Sequence, residues 1–183
     1  MSGKPAPRQG NRSAAAAPSN LYRCRPGGTN DYVFIHCATA EMWKSLVTIV
    51  GRPELGDDPR YADRRDRVQF IDEIDAMIEA WTGQRPKHEV MEILAGAGIP
   101  CGAVLDSSEV LTDPHLRQRG FIVDLEHPRR GPYPMPANPV RLSDSPTDVV
   151  RAPLLGEHNA EVYGKLLGYG QAELDTLRRD GVI

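Results

Sequence analysis

The sequence predicts an α/β fold of α+β character, in which short antiparallel strands and amphipathic helices share a small core. Three observations lead there. Two β-prone runs, residues 21–24 and 32–37, are separated by Pro26-Gly27-Gly28-Thr29-Asn30-Asp31, which is turn chemistry. Downstream, between residues 39 and 97, apolar residues recur at i, i+3, i+4 and i+7, the period of a helix with one buried face. Beyond residue 118 a hairpin, a proline-rich loop and terminal helices follow, with no series of βαβ units long enough for a complete doubly wound sheet.

Taken in order, residues 1–19 read as an extended leading segment, because Pro5, Pro7, Gly10 and Pro18 break regular structure. The runs 21–24 and 32–37 are expected to pair antiparallel. Thr39 is a good N-cap for a helix that buries Trp43, Leu46, Val47 and Val50 and closes at Gly51. A second helix carries Ile71, Ile74, Ile78 and Trp81 on one face and ends before Gly83. A third opens at Pro86, buries Val90, Ile93, Leu94 and Ala97, and stops at Gly98-Ile99-Pro100.

Residues 101–105 form a short β-prone run. Two helical turns follow, one capped by Ser107 or Ser108 and one begun by Asp113-Pro114. Phe121, Val123 and Leu125 alternate with Ile122, Asp124 and Glu126 ahead of a turn at 127–131, a half-buried hairpin strand. The stretch 132–153 holds Pro132, Pro134, Pro136, Pro139, Pro146 and Pro153 and reads as surface loop with short β pieces such as 140–142. A helix over 157–167 turns Val162, Leu166 and Leu167 inward and ends at Gly168, and a last short helix covers 171–179. If the surface these residues need lies outside the chain, they form an uncovered apolar patch.

Composition narrows the class. Against 25 Asp+Glu stand only 22 Lys+Arg, a net charge of -3, which gives no basic face for nucleic acid. The longest apolar runs fall far short of the roughly 20 residues of a membrane span. No signal-peptide core is visible, and 3 cysteines without metal-like spacing fit a reducing cytoplasm. The expectation is a cytoplasmic globular protein with neither nucleic-acid nor membrane partners. Its 17 glycines and 16 prolines are heavy punctuation for one compact domain.

Candidate chemistry is sparse. Glu157-His158-Asn159 resembles a polar site, yet sequence neighbours on a helix do not face each other, so helix capping is the better reading. Asp113-Pro114-His115 is helix-start chemistry. Cys101 has no nearby Lys, His or helix N-terminus to lower its pKa and reads as a small buried residue, and Cys24 and Cys37 are too far apart for a zinc pair. The run 60–67, where Arg60, Arg64, Arg65 and Arg67 mix with Asp63 and Asp66, reads as a solvated charged face. Residues 13–17, small and set between turn formers, suit a loop that approaches another surface closely, and suit a bland leader equally. No serine triad, phosphate loop or paired-carboxylate arrangement appears, so the chain contains no self-sufficient catalytic site and no catalytic residue of its own is expected.

The landmarks in order are Arg8-Gln9-Gly10-Asn11, Leu21-Tyr22-Arg23-Cys24, Asp31-Tyr32-Val33-Phe34-Ile35 and Gly51-Arg52-Pro53-Glu54-Leu55 with Asp57-Asp58-Pro59-Arg60-Tyr61. Gly98-Ile99-Pro100-Cys101-Gly102, Asp113-Pro114-His115-Leu116, Leu142-Ser143-Asp144-Ser145-Pro146 and Leu154-Leu155-Gly156-Glu157-His158-Asn159 complete the series. The series resembles the C-terminal portion of a family III CoA-transferase (the CaiB/BaiF family), nearest its formyl-CoA transferase branch.

That resemblance implies a longer subunit with a Rossmann-like large domain, a small inserted domain, and two subunits interlocked as a homodimer. It places the leading segment at 1–19, the small domain at 20–97, a linker at 98–117 and a segment returning to the large domain at 118–183. It implies transfer of CoA from an acyl-CoA to a small carboxylic acid through an aspartyl-CoA thioester, with CoA thioester as substrate and no tightly bound cofactor. The nucleophilic Asp is expected outside this chain, on an N-terminal half or partner chain. One element carries over: the glycine-rich loop that covers the acyl group falls on Ser13, Ala14, Ala15 and Ala16 as substrate-binding residues, with Ala17 where those enzymes carry Gln. Alanine does not take the positive φ open to glycine, so a stiffer loop is expected, and formyl or oxalate specificity is left open. A non-catalytic small-domain module or a truncated fragment is the alternative.

Overall fold

A computed structural model describes residues 8–13, 15–145 and 147–183. The chain divides into two compact units, Met1–Ser107 and Ser108–Ile183. Helices and small antiparallel sheets are mixed, as the sequence predicts.

In the first unit β1 (Ser19–Arg23), β2 (Tyr32–His36) and β3 (Cys101–Ala103) form an antiparallel sheet in the order β1-β2-β3. The register sets Tyr22 opposite Val33 and Phe34 opposite both Leu21 and Gly102. Because side chains alternate along a strand, Tyr22, Val33 and Ile35 enter the core while Phe34 stays exposed. On the buried face lie α1 (Ala40–Ile49), α2 (Ile71–Thr82) and α3 (Lys87–Gly96). Thr39 caps α1, its hydroxyl accepting from the Met42 N–H at 3.2 Å. Gly51, at φ +83, takes the left-handed turn that ends it. Between α1 and α2 run three 3₁₀ turns, Pro53–Gly56, Pro59–Tyr61 and Asp66–Phe70.

The α3 expectation needs correcting. Val90 and Leu94 are buried, but Ile93 and Ala97 are exposed. The buried stripe is Lys87, Val90 and Leu94, and positions 93 and 97 lie on its flank, away from the sheet. Lys87 is buried to the tip, its Nζ donating to the carbonyls of Asn30 (3.2 Å) and Val104 (2.7 Å).

The second unit holds α4 (Ser107–Thr112, at the boundary), α5 (Pro114–Gln118), the hairpin of β4 (Ile122–His127) and β5 (Gly131–Pro136), and α6 (Gln171–Arg179). Asp113 caps α5 as predicted, accepting from the Leu116 N–H at 2.8 Å. The proline-rich stretch departs from expectation twice. Its first part is strand: Pro132, Pro134 and Pro136 sit opposite Glu126, Asp124 and Ile122. The Ala137 N–H donates to the Phe121 carbonyl at 2.8 Å, so the hydrogen-bonded pairs fall on the odd positions and the prolines on the others, where no N–H is needed. Residues 140–142, by contrast, form no strand, and Val140 and Leu142 are exposed. Ile122, expected on the face opposite Phe121, Val123 and Leu125, is the buried residue of the strand.

In the tail, Ala160–Leu166 is π-helical, and Val162, Leu166 and Leu167 point outward rather than inward. Instead Gly164 lies against the buried Leu174 of α6, and the Tyr163 ring lies 6.1 Å from that of Tyr169. Leu166, at 79%, is the most exposed of the three.

Candidate functional site

The stretch expected to carry the acyl-covering loop is fastened at both ends to the first unit. Ser13 is half-buried, Ala15 exposed and Ala16 buried, while Ala14 lies outside the described residues. The Ser13 hydroxyl accepts from the Ala15 N–H at 3.2 Å. No described residue other than glycine takes a positive φ. Ala16 is buried, so among the described positions of this stretch Ser13 and Ala15 present accessible side chains.

The trailing end is anchored by Arg67. Its Nε donates to the Ala17 carbonyl at 2.7 Å, its Nη1 to the Tyr61 carbonyl at 2.8 Å, and its guanidinium lies 4.9 Å from the centre of the Trp43 ring. The Ala17 N–H donates to the Arg64 carbonyl at 3.2 Å, and the Pro18 carbonyl accepts from the Cys37 N–H at 3.0 Å. Arg67 is 1% exposed, and burial pushes its guanidinium pKa down from the ordinary value. The solvated reading of the arginine run is wrong for this one residue. The chain turns at Asp66–Phe70, so Arg67 falls on the side of Phe70 and Ile71, the one signal in the sequence that could have found it.

The leading end is held by Asp75. Ile71, Ile74, Asp75 and Ile78 make one stripe of α2, so this carboxylate occupies a core-facing position. It receives the Tyr22 hydroxyl at 2.7 Å, Asn20 Nδ2 at 3.0 Å and Arg12 Nε at 2.9 Å. Arg12 also reaches Asp72 at 2.8 Å. Burial first, then the bond to Asp75, pushes the Tyr22 hydroxyl pKa well up, so it stays a donor. An acid at i+4 of an apolar stripe was a legible signal.

The other candidates fall into structural roles. Glu157 does not cap a helix. It binds Arg151 and accepts from the Leu154 N–H at 2.6 Å, closing the 151–157 turn. His158 lies 3.4 Å from Glu161 and makes no dyad with Glu157. The Arg151 hydrogen bond, above all, holds the Glu157 carboxyl at about 2, below its ordinary 4.5. A carboxyl depressed in the folded state supplies stability above its unfolded value and loses it as pH falls through the folded one. The turn is therefore expected to stay closed at pH 5 and to open progressively toward pH 2. Exchange of the Leu154 amide measures this, and Glu157→Gln should already be open at pH 5.

Burial pushes the Cys24 thiol up to about 11 and the Cys37 thiol up to about 12 and raises that of Cys101, the opposite of nucleophile activation. Among the described residues no group of His, Cys, Asp and Glu could hold a metal ion, and no helix is long and apolar enough to cross a membrane. A cleft of about 460 Å³ in the second unit is lined by Gly120, Arg141 and Asp148, among others. Its Asp124 is paired with Arg117 at 2.8 Å. With Arg141 and Asp148 of opposite sign, the cleft offers no net attraction to a carboxylate or phosphate.

Comparison with known proteins places the chain. A family model described as CoA-transferase family III matches residues 1–159. A Formyl-CoA:oxalate CoA-transferase of Streptomyces avermitilis is 43% identical over 181 residues, covering 99% of this chain and 44% of that protein. One of Streptomyces coelicolor is 41% identical, with 99% and 44% covered. Among solved structures, a CAIB/BAIF family protein from Brucella suis superposes with a TM-score of 0.73 at 30% identity, covering 90% of this chain and 42% of that one. The chain thus spans less than half the length of the curated relatives it matches, corresponding to their C-terminal portion.

Proposed function

The chain belongs to CoA-transferase family III, and from that premise we propose that it supplies the acyl-covering loop and the returning segment of an enzyme that moves CoA from an acyl-CoA to a small carboxylic acid. The observation that supports this reading is that Arg12 and Ala17, on either side of residues 13–16, are tied to Asp75 and Arg67 of the first unit. The nucleophile in the proposed cycle is an aspartate outside this chain. Its carboxylate attacks the donor thioester, releasing CoA thiolate and forming an acyl-aspartyl anhydride. The thiolate then attacks the aspartyl carbonyl, giving an aspartyl-CoA thioester and freeing the donor's acyl group as its carboxylate. The acceptor carboxylate repeats the two steps in reverse, which leaves the acceptor as its CoA thioester and restores the aspartate. No net proton is consumed. CoA enters and leaves as a substrate thioester.

Within this cycle the loop excludes water from the anhydride and the thioester, which hydrolysis would otherwise waste. The names of the relatives make formyl-CoA and oxalate the first pair to assay, and the alanines at 15 and 16 make a wider panel of small carboxylates the second. The assembly proposed is the interlocked homodimer, with segment 118–183 packed on the large domain through Val162, Leu166 and Leu167.

The test is co-expression with the N-terminal half of the Streptomyces avermitilis relative, followed by a CoA-exchange assay. Exchange that appears only when both parts are present supports the reading. A chain that remains a folded monomer and gives no exchange with any donor and acceptor of the panel identifies it as a non-catalytic module.

A further inference from the structure

The two fastenings of the stretch between Arg12 and Ala17 differ in kind. At Ala17 the bonds join a buried guanidinium to peptide carbonyls, and the residue itself is fully buried. At Arg12 the fastening is ionic and half open to water: the Arg12 side chain is 39% exposed, the Asp75 side chain 11% and the Asp72 side chain 88%. Exposed ion pairs hold little on their own. This pair differs because Asp75 is aimed. Its Oδ1 is taken by the Tyr22 hydroxyl, while its Oδ2 takes Asn20 Nδ2 at 3.0 Å and Arg12 from both Nε and Nη2, each at 2.9 Å. Tyr22 and Asn20 sit on β1, so the strand fixes the direction of a carboxylate rooted in α2, and that carboxylate fixes Arg12. Strand, helix and leading segment meet at one side chain.

We propose that Asp75 is a positioning residue: by latching Arg12 onto α2 it sets where Ser13 and Ala15 of that stretch lie, with Ala17 as the fixed pivot and Arg12 as the end that releases first. This rests on the reading of that stretch as the acyl-covering loop. On that reading Asp75 acts on turnover through Arg12 without touching substrate. Released at Arg12, the stretch swings about Ala17 and no longer shields the reacting acyl carbon, while contacts to CoA made elsewhere are unchanged. The expected signature is thus a loss in kcat with KM for the acyl-CoA preserved.

The experiment has two arms. In the 183-residue chain, Arg12→Gln and Asp75→Asn are compared with the unaltered protein by amide hydrogen exchange. Arg12→Gln cuts the latch from its wet side and leaves the core intact. It should raise exchange of a peptide covering 10–17 about tenfold while peptides of β1 and β2 stay unchanged. Raising salt from about 0.05 to about 0.5 M should raise that exchange in the unaltered chain but not in Arg12→Gln. No rise, or an equal rise in the strands, overturns the latch. In the reassembled transferase, Arg12→Gln should lower kcat about tenfold with KM for acyl-CoA within about twofold, and Arg12→Lys should recover part of the loss. Unchanged kinetics, or a loss confined to KM, overturns the positioning role. A reassembly that is inactive even when unaltered refutes the proposed function, and the exchange arm alone then decides the latch.

Discussion

Replacing Arg67 by methionine is expected to cost the first unit about 3 kcal/mol of stability, through the loss of charge-assisted bonds to buried carbonyls. Methionine fills much of the same volume, so the effect is not a cavity. What is lost is the donor to the Ala17 and Tyr61 carbonyls, both left without a partner, and the cation over the Trp43 face. Hydrogen bonds from a charged donor contribute about 1.5–3 kcal/mol each and a desolvated cation–π contact about 2 kcal/mol. Relief of the guanidinium's burial, visible in its lowered pKa and in an Nη2 that finds no hydrogen-bond partner, offsets part of this. Urea unfolding followed by far-UV circular dichroism measures the difference. A loss below about 1 kcal/mol would show that the anchor is ornamental to the fold.

Trp43→Ala should cost more, about 3–5 kcal/mol, the range of large aromatic deletions from a core. Trp43 is 1% exposed, donates its indole N–H to the Leu55 carbonyl at 3.0 Å and packs on Tyr61 with ring centres 5.5 Å apart. It also forms the floor beneath Arg67, so the two substitutions share one interaction. The double variant is accordingly expected to lose less than the two single losses combined, by about 1 kcal/mol or more. Additive losses would mean that Arg67 and Trp43 do not support each other. Trp81 remains as a fluorescent reporter of unfolding in the variant.

What could be read from the sequence depended on whether the determinant was local. Thr39, the stripe Trp43, Leu46 and Val47, and Gly51 mark α1 from cap to stop within a dozen positions, and the helix forms as written. The hairpin of β1 and β2 was legible for the same reason, since turn chemistry lies between two alternating runs. β5 was hidden because its prolines look like loop until the register of β4 shows that each one sits where no hydrogen bond is required. Arg67 and Asp75 each left a trace in the pattern, Arg67 ahead of Phe70 and Ile71 and Asp75 within the apolar stripe of α2, but the partners that bury them were hidden. Each is a charged residue in a charged or amphipathic neighbourhood, and its burial follows from partners 50 and 53 positions away, at Ala17 and Tyr22. The tail was half legible: the helix forms, but Val162, Leu166 and Leu167 stay exposed and Gly164 lies against Leu174 of α6. The resemblance supplied what no local pattern could, the membership in the family.

The most direct test of the central claim is to locate the covalent intermediate. The chain, reassembled with an N-terminal half from a relative, is incubated with acyl-CoA alone and reduced with borohydride, and the modified polypeptide is identified by mass spectrometry. Reduction turns an aspartyl thioester into an alcohol and releases the CoA thiol, so the expected mark is one aspartate converted on the N-terminal half, with this chain unmodified. A converted aspartate within this chain, such as Asp106 or Asp144, would contradict the account, because this chain would then carry the nucleophile itself.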